Sequence, residues 1–91
     1  MKIEYDRAKP ALTLQARDLD MAAAAEIFAT ELLTIEDDRQ DYGETRFATF
    51  GFLDGRMVVI IWTTRGAARR IISLRKANDR EQARFRPSSG P

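Results

Sequence analysis

The residues best equipped for chemistry lie in the last quarter of the chain. There Arg69-Arg70-Ile71-Ile72-Ser73-Leu74-Arg75-Lys76 runs as a basic, apolar strand pattern into Ala77-Asn78-Asp79-Arg80-Glu81. Between residues 65 and 86 eight basic groups face two acids, a net +6, whereas residues 1–64 carry seven basic groups against twelve acids, a net −5. The total of +1 therefore hides two regions of opposite sign, and the basic one predicts a surface that faces a polyanion. A second cluster, Glu36, Asp37, Asp38, Asp41 and Glu44, has the ligand type of a divalent-cation site. Its spacing fits no EF-hand loop, which needs oxygen ligands at alternate positions, a central glycine and a terminal glutamate, so it reads as a solvated acidic loop with no metal. The chain has no cysteine and no histidine. That removes disulfides, thiolate catalysis, zinc–sulfur sites and any mechanism built on a histidine pair.

Ninety-one residues with 44% hydrophobic content predict one small domain over residues 1–86, with Pro87-Ser88-Ser89-Gly90-Pro91 as a frayed tail. The longest apolar run, Met57 to Trp62, is far shorter than the ~20 residues of a membrane span. Lys2, Glu4, Asp6 and Arg7 stand where a signal peptide is apolar, so a cytoplasmic protein without cofactor is expected.

The elements that must position the basic groups follow from pattern. Lys2-Ile3-Glu4-Tyr5 alternates as a short strand, and Pro10 predicts a first helix running to Arg17. Asp20 caps a second helix whose Met21, Ala24, Ala25, Phe28 and Leu32 share one face. A short strand near Leu33–Glu36 precedes the acidic turn. Thr45–Leu53 and the β-branched Arg56–Thr64 then form a hairpin about Asp54-Gly55, the second of them central in the sheet. Arg69–Lys76 is the last strand, and Asn78 with Glu81 makes a capping box for a final helix. The predicted class is α+β: an antiparallel sheet with two N-terminal helices and one C-terminal helix covering one face.

Taken in order, these segments resemble the BrnT-type toxins of bacterial type II toxin–antitoxin pairs. The resemblance rests on Asp6-Arg7-Ala8-Lys9, on Phe28 closing a helix, on Asp41-Tyr42-Gly43-Glu44-Thr45-Arg46, on the Gly51-to-Arg56 hairpin, and on Arg70-Ile71-Ile72-Ser73-Leu74-Arg75 followed by Glu81. It covers about residues 2–86 and implies a RelE-like ribonuclease toxin. Its implied partners are an RNA substrate and a ribbon-helix-helix antitoxin that binds operator DNA and brings oligomerisation. Where the family carries Asn-x-x-Lys-His-Gly, this chain has Thr13-Leu14-Gln15-Ala16-Arg17-Asp18. A second reading therefore stays open, in which a catalytically degenerate toxin fold acts as a binding partner, corepressor or nucleic-acid-binding module.

Metal-free RNA cleavage needs a base for the 2′-hydroxyl, positive charge for the phosphorane and a proton for the 5′-oxygen. Arg46, Arg70 and Arg75 are the candidates for the second need, and Glu44 for the first or for orienting an arginine. Lys76 or Tyr42 is the candidate for the third. Arg69, Lys76, Arg80 and Arg84 are the expected RNA-binding residues. Period-2 alternation along the last strand separates Arg70 from Arg75 onto opposite faces unless a bulge intervenes. Trp62 sits in the most apolar strand and reads as core, although both it and Phe85 have rings that stack on bases.

Overall fold

A computed structural model of the chain describes residues 2–5, 13–14, 17–18, 21–37 and 43–85. Its elements are β1 (Lys2–Tyr5), β2 (Thr13–Leu14), β3 (Arg17–Asp18), α1 (Met21–Ala29), β4 (Leu33–Glu36), β5 (Arg46–Leu53), β6 (Arg56–Arg65), β7 (Ala68–Lys76) and α2 (Asp79–Phe85). Met57 to Thr63 on β6 are all buried, a continuous run that a strand shows only when both of its faces are covered. Accordingly β6 is the central strand of a five-stranded sheet ordered β1-β7-β6-β5-β4.

The two helices supply the two covers. Val58, Ile60 and Trp62 point to one face and pack with Ala23, Ala24, Ile27 and Phe28 of α1. Met57, Val59 and Ile61 point to the other and pack with Ala48, Phe50, Ala77 and, at the margin, Phe85 of α2. The helices therefore lie on opposite faces, not on one. Two further expectations are corrected. The sheet is mixed, because β1 runs parallel to β7 while the remaining pairs are antiparallel. In place of a helix from Pro10 to Arg17, Thr13–Leu14 and Arg17–Asp18 pair antiparallel as a separate two-stranded sheet, leaving two helices among the described residues. A helix of eight residues is marginal on its own, since nucleation costs more than so few turns return, and strand pairing takes its place. Residues 10–12 and 15–16 of that expected helix, the Asp20 cap and the expected tail lie outside the described residues.

The hairpin turn has the predicted chemistry. Asp54 and Gly55 both adopt positive φ, 53° and 77°, as a two-residue turn matching strand twist requires. At the far end, Asn78 Oδ1 accepts from Glu81 N at 2.8 Å and Glu81 Oε1 accepts from Asn78 N at 2.9 Å, the reciprocal capping box expected for α2. Among the described residues no helix is long and apolar enough to cross a membrane.

A bulge in β7 sets which side chains share a face. Ile61 pairs with Ser73 and Trp62 with Ile71, so Ile72 is an extra residue on β7. Ile71 and Leu74, three apart, both join the α1-side cluster, which a regular strand forbids.

The α1 side is anchored without slack. Gly51 of β5 passes directly beneath the helix, where an added Cβ would collide with the Ile27 carbonyl oxygen. Thr30 Oγ1 donates at the helix end to Glu26 O and accepts from Phe52 N at 2.9 Å, and Glu26 Oε2 accepts from Asp54 N at 2.6 Å. Polar groups on this side form one directed chain from the core to the surface: Trp62 Nε1 donates to Thr49 Oγ1, Thr49 to Thr34, and Thr34 to the exposed Glu31 Oε2, each step 2.8 Å. The carboxylate at the end can only accept in that chain, which fixes the direction of the other two bonds.

The collision at Gly51 is with backbone, which cannot rotate away. Gly51→Ala is expected to cost about 3 kcal/mol of unfolding free energy by overpacking, measured as a lowered urea midpoint at unchanged slope.

Candidate functional site

Counting faces from the bulge gathers the basic residues. Arg70 pairs with Thr63, and Thr63 pairs with Arg46 across the other edge of β6, so Arg70 and Arg46 stand in one row on the α2 face. Glu4 of β1 joins that row by its parallel pairing with Arg70. Past the bulge, Arg75 pairs with Val59 and returns to the same face. In strand steps, Arg46 and Arg70 have backbones roughly 10 Å apart, and the row of Arg75 lies roughly 13 Å further along the sheet.

Each arginine is held by a carboxylate. Arg46 Nε donates to Glu44 Oε2 at 3.2 Å, and Arg70 Nη1 lies 3.8 Å from Glu4 Oε2. Arg75 makes a bidentate pair with Glu81, 2.7 and 2.8 Å, while Glu81 also closes the capping box. Thr63, buried between Arg46 and Arg70, donates its hydroxyl to Thr45 O at 2.6 Å and so ties β6 to the segment carrying Glu44. All three ion pairs are partly exposed, so each orients its arginine and adds only modest stability.

Between the arginine row and Arg75 the sheet carries a groove of about 200 Å³, lined by Ile35, Glu36, Asp37, Ala48, Phe50, Ile61, Arg75 and Glu81. Its floor is the pair Ala48 and Ile61, with Ile35 continuing that row at the rim on the edge strand β4, and Phe50 lies one pleat beyond. The α2 side is fixed by Phe85, whose ring meets Phe50 at 4.6 Å between centroids.

The remaining predicted residues fall elsewhere. Arg69 lies on the α1 face with its guanidinium 4.3 Å from the Trp62 ring centroid and 4.8 Å from that of Phe28, a cation–π sandwich over the core. Trp62 is buried there, stacked on Phe47, as its apolar strand suggested. Lys76 pairs with Val58 and so is also assigned to the α1 face, at the exposed end of β7. Arg80 and Arg84 are exposed on α2, four residues apart. Tyr42 lies outside the described residues, as do Asp38 and Asp41 of the acidic cluster. Among the described residues no three carboxylates converge as a metal-holding group. Glu4 and Thr63 are the positions that sequence reasoning missed. Only the parallel pairing of β1 with β7 brings Glu4 to the site, and no local pattern announces that pairing.

A protein-family model described as the ribonuclease toxin, BrnT, of type II toxin–antitoxin systems matches residues 5–81. No curated protein and no solved structure matches the chain at a significant level.

The double duty of Glu81 separates into parts by substitution. Glu81→Ala is expected to cost about 1 kcal/mol by removing the carboxylate half of the capping box together with the Arg75 pair, the Asn78 half remaining, whereas Glu81→Gln, which keeps a capping acceptor and loses the charge, costs about 0.5 kcal/mol. Chemical denaturation of the two variants reads the difference.

Proposed function

The chain belongs to the BrnT family of ribonuclease toxins of type II toxin–antitoxin systems, and we propose that it is a metal-independent endoribonuclease whose active face is the α2 side of the sheet. A type II toxin has a cognate antitoxin. Here we take it to be a ribbon-helix-helix protein that carries the complex to operator DNA and sets its oligomeric state, in the cytoplasm.

The observation that carries this reading is the row Glu4, Arg70, Thr63 and Arg46, placed on one face by cross-strand register, with Arg75 returned to that face by the β7 bulge. Two long guanidinium side chains on backbones roughly 10 Å apart reach one phosphate between them. In the reaction, the 2′-oxygen attacks phosphorus and the bond to the 5′-oxygen breaks, leaving a 2′,3′-cyclic phosphate and a 5′-hydroxyl. Arg46 and Arg70 hold the phosphorane, whose charge exceeds that of the diester, so they bind the transition state more strongly than the substrate. Glu44 accepts the 2′-hydroxyl proton, and the 5′-oxygen takes its proton from solvent. Glu4 acts through Arg70 as a positioning residue. Arg75, committed to Glu81, contributes charge at the far side of the groove, and Arg80 and Arg84 extend the positive surface along α2.

A second reading has its own support. Arg17 and Asp18 of β3 stand where the family's histidine and glycine are expected, so a toxin fold that binds without cutting is the alternative. Induction in cells lacking the antitoxin distinguishes the two. Growth arrest by the wild type is expected, lost in Arg46→Ala and Arg70→Ala, whereas a wild type that leaves growth unaffected selects the binding role. With purified protein and RNA in chelator, each of these substitutions is expected to lower kcat roughly 10²–10³-fold, the usual effect of losing one preorganised donor. Unchanged cleavage by Arg70→Ala overturns its assignment.

Binding reads the outer charges separately. Arg80→Ala and Arg84→Ala should each reduce the salt slope of RNA affinity by about one, the signature of a lost phosphate contact. Arg69→Ala should leave that slope intact and lower the melting temperature, because its guanidinium is spent on Trp62 and Phe28.

A further inference from the structure

Resting on the RNA-cleaving reading, we propose that the groove between β4 and the start of α2 is a nucleobase subsite, which holds one unstacked base of the RNA next to the phosphate bound by Arg46 and Arg70. Three observations point there. First, the groove adjoins the arginine row: its floor residues Ile61 and Ala48 stand two positions along their strands from Thr63 and Arg46, roughly 7 Å away. A base attached through its sugar to a phosphate at the row reaches that distance without strain.

Second, the lining alternates in the way a nucleotide does. Ile35, Ala48, Phe50 and Ile61 give an apolar bed for a ring face, and Arg75 stands at the far side to meet the next phosphate. Ile35 is 43% exposed, the large hydrophobic residue left most open among those described, and it sits on the groove's rim at an edge strand where a solvated side chain is the usual choice. At about 200 Å³ the groove is smaller than the sites that enclose drug-sized ligands, which suits a single ring system and not an amphipathic helix. Third, the groove is fixed in place relative to the arginine row: the backbone bond from Asp37 N to Arg46 O, 2.7 Å, ties the β4 end of its lining to the strand that carries Arg46.

The test is binding of short oligoribonucleotides that carry a single abasic position, moved stepwise along the sequence, followed by fluorescence anisotropy for the wild type, Ile35→Ala and Ala48→Leu. Ile35→Ala trims an exposed rim residue and leaves the core intact, while Ala48→Leu fills the floor, with its fold checked by circular dichroism. The wild type should bind about tenfold more weakly when the abasic position falls at one particular step, in line with the loss of one stacked base. Both variants should lose affinity for the intact oligonucleotide and show little further loss at that step. Equal wild-type binding at every position overturns the subsite. So does full RNA affinity in both variants accompanied by loss of antitoxin binding, which assigns the groove to a protein segment. Cleavage of the same oligonucleotides, followed in parallel, separates the two levels: base-dependent binding with no cleaved product removes the ribonuclease reading and leaves the subsite standing.

Discussion

The extra residue in β7 is the constraint on which the rest of the site depends. The α1-side core takes both Ile71 and Leu74, and only a bulge lets two residues three apart face the same way. Once Ile72 is absorbed as the extra residue, Arg70 and Arg75, five apart, also share a face. Packing on one side of the sheet thereby assembles charge on the other. Apolar burial is worth ~25 cal/mol per Å², enough for two large side chains to dictate the backbone, whereas two exposed guanidiniums exert no comparable pull.

Because β6 is buried on both faces, its covers divide the labour. The α1 side is closed by Gly51 beneath Ile27, by Thr30 bridging helix and strand, and by the chain from Trp62 to Glu31. The α2 side is covered by a helix of seven residues, started by the capping box and tied to the sheet by the Arg75–Glu81 pair and the Phe50–Phe85 contact. So short a helix cannot span the sheet, and the uncovered strip between β4 and α2 is the groove. Rigidity on one side and incomplete cover on the other place the open surface next to the arginine row.

The electrostatics follow the same division. Arg46, Arg70 and Arg75 each rest against a partly exposed carboxylate, a pairing that fixes orientation at little energetic depth. Arg69 differs, since its charge lies over two aromatic rings of the core. Four arginines that look alike along the strand and hairpin thus have two distinct employments, set by which face each one meets.

Local rules made much of this legible. Strands β4 to β7, helices α1 and α2, the Asp54-Gly55 turn and the Asn78–Glu81 capping box follow from periodicity, turn chemistry and short-range hydrogen bonds, each decided within a few residues of sequence. The expected first helix failed at Thr13–Leu14 and Arg17–Asp18, where an eight-residue segment has too little intrinsic preference to resist pairing. The chain by itself determined the segregation of charge, the family resemblance carried by Asp41–Arg46 and Arg70–Arg75, and the candidate residues. Tertiary structure alone decided which of them meet: the parallel pairing that delivers Glu4 to Arg70, the bulge that unites Arg70 with Arg75, and the split of the helices that opens the groove. All three are outcomes of long-range packing, in which the shape of the whole core selects among local geometries of similar energy.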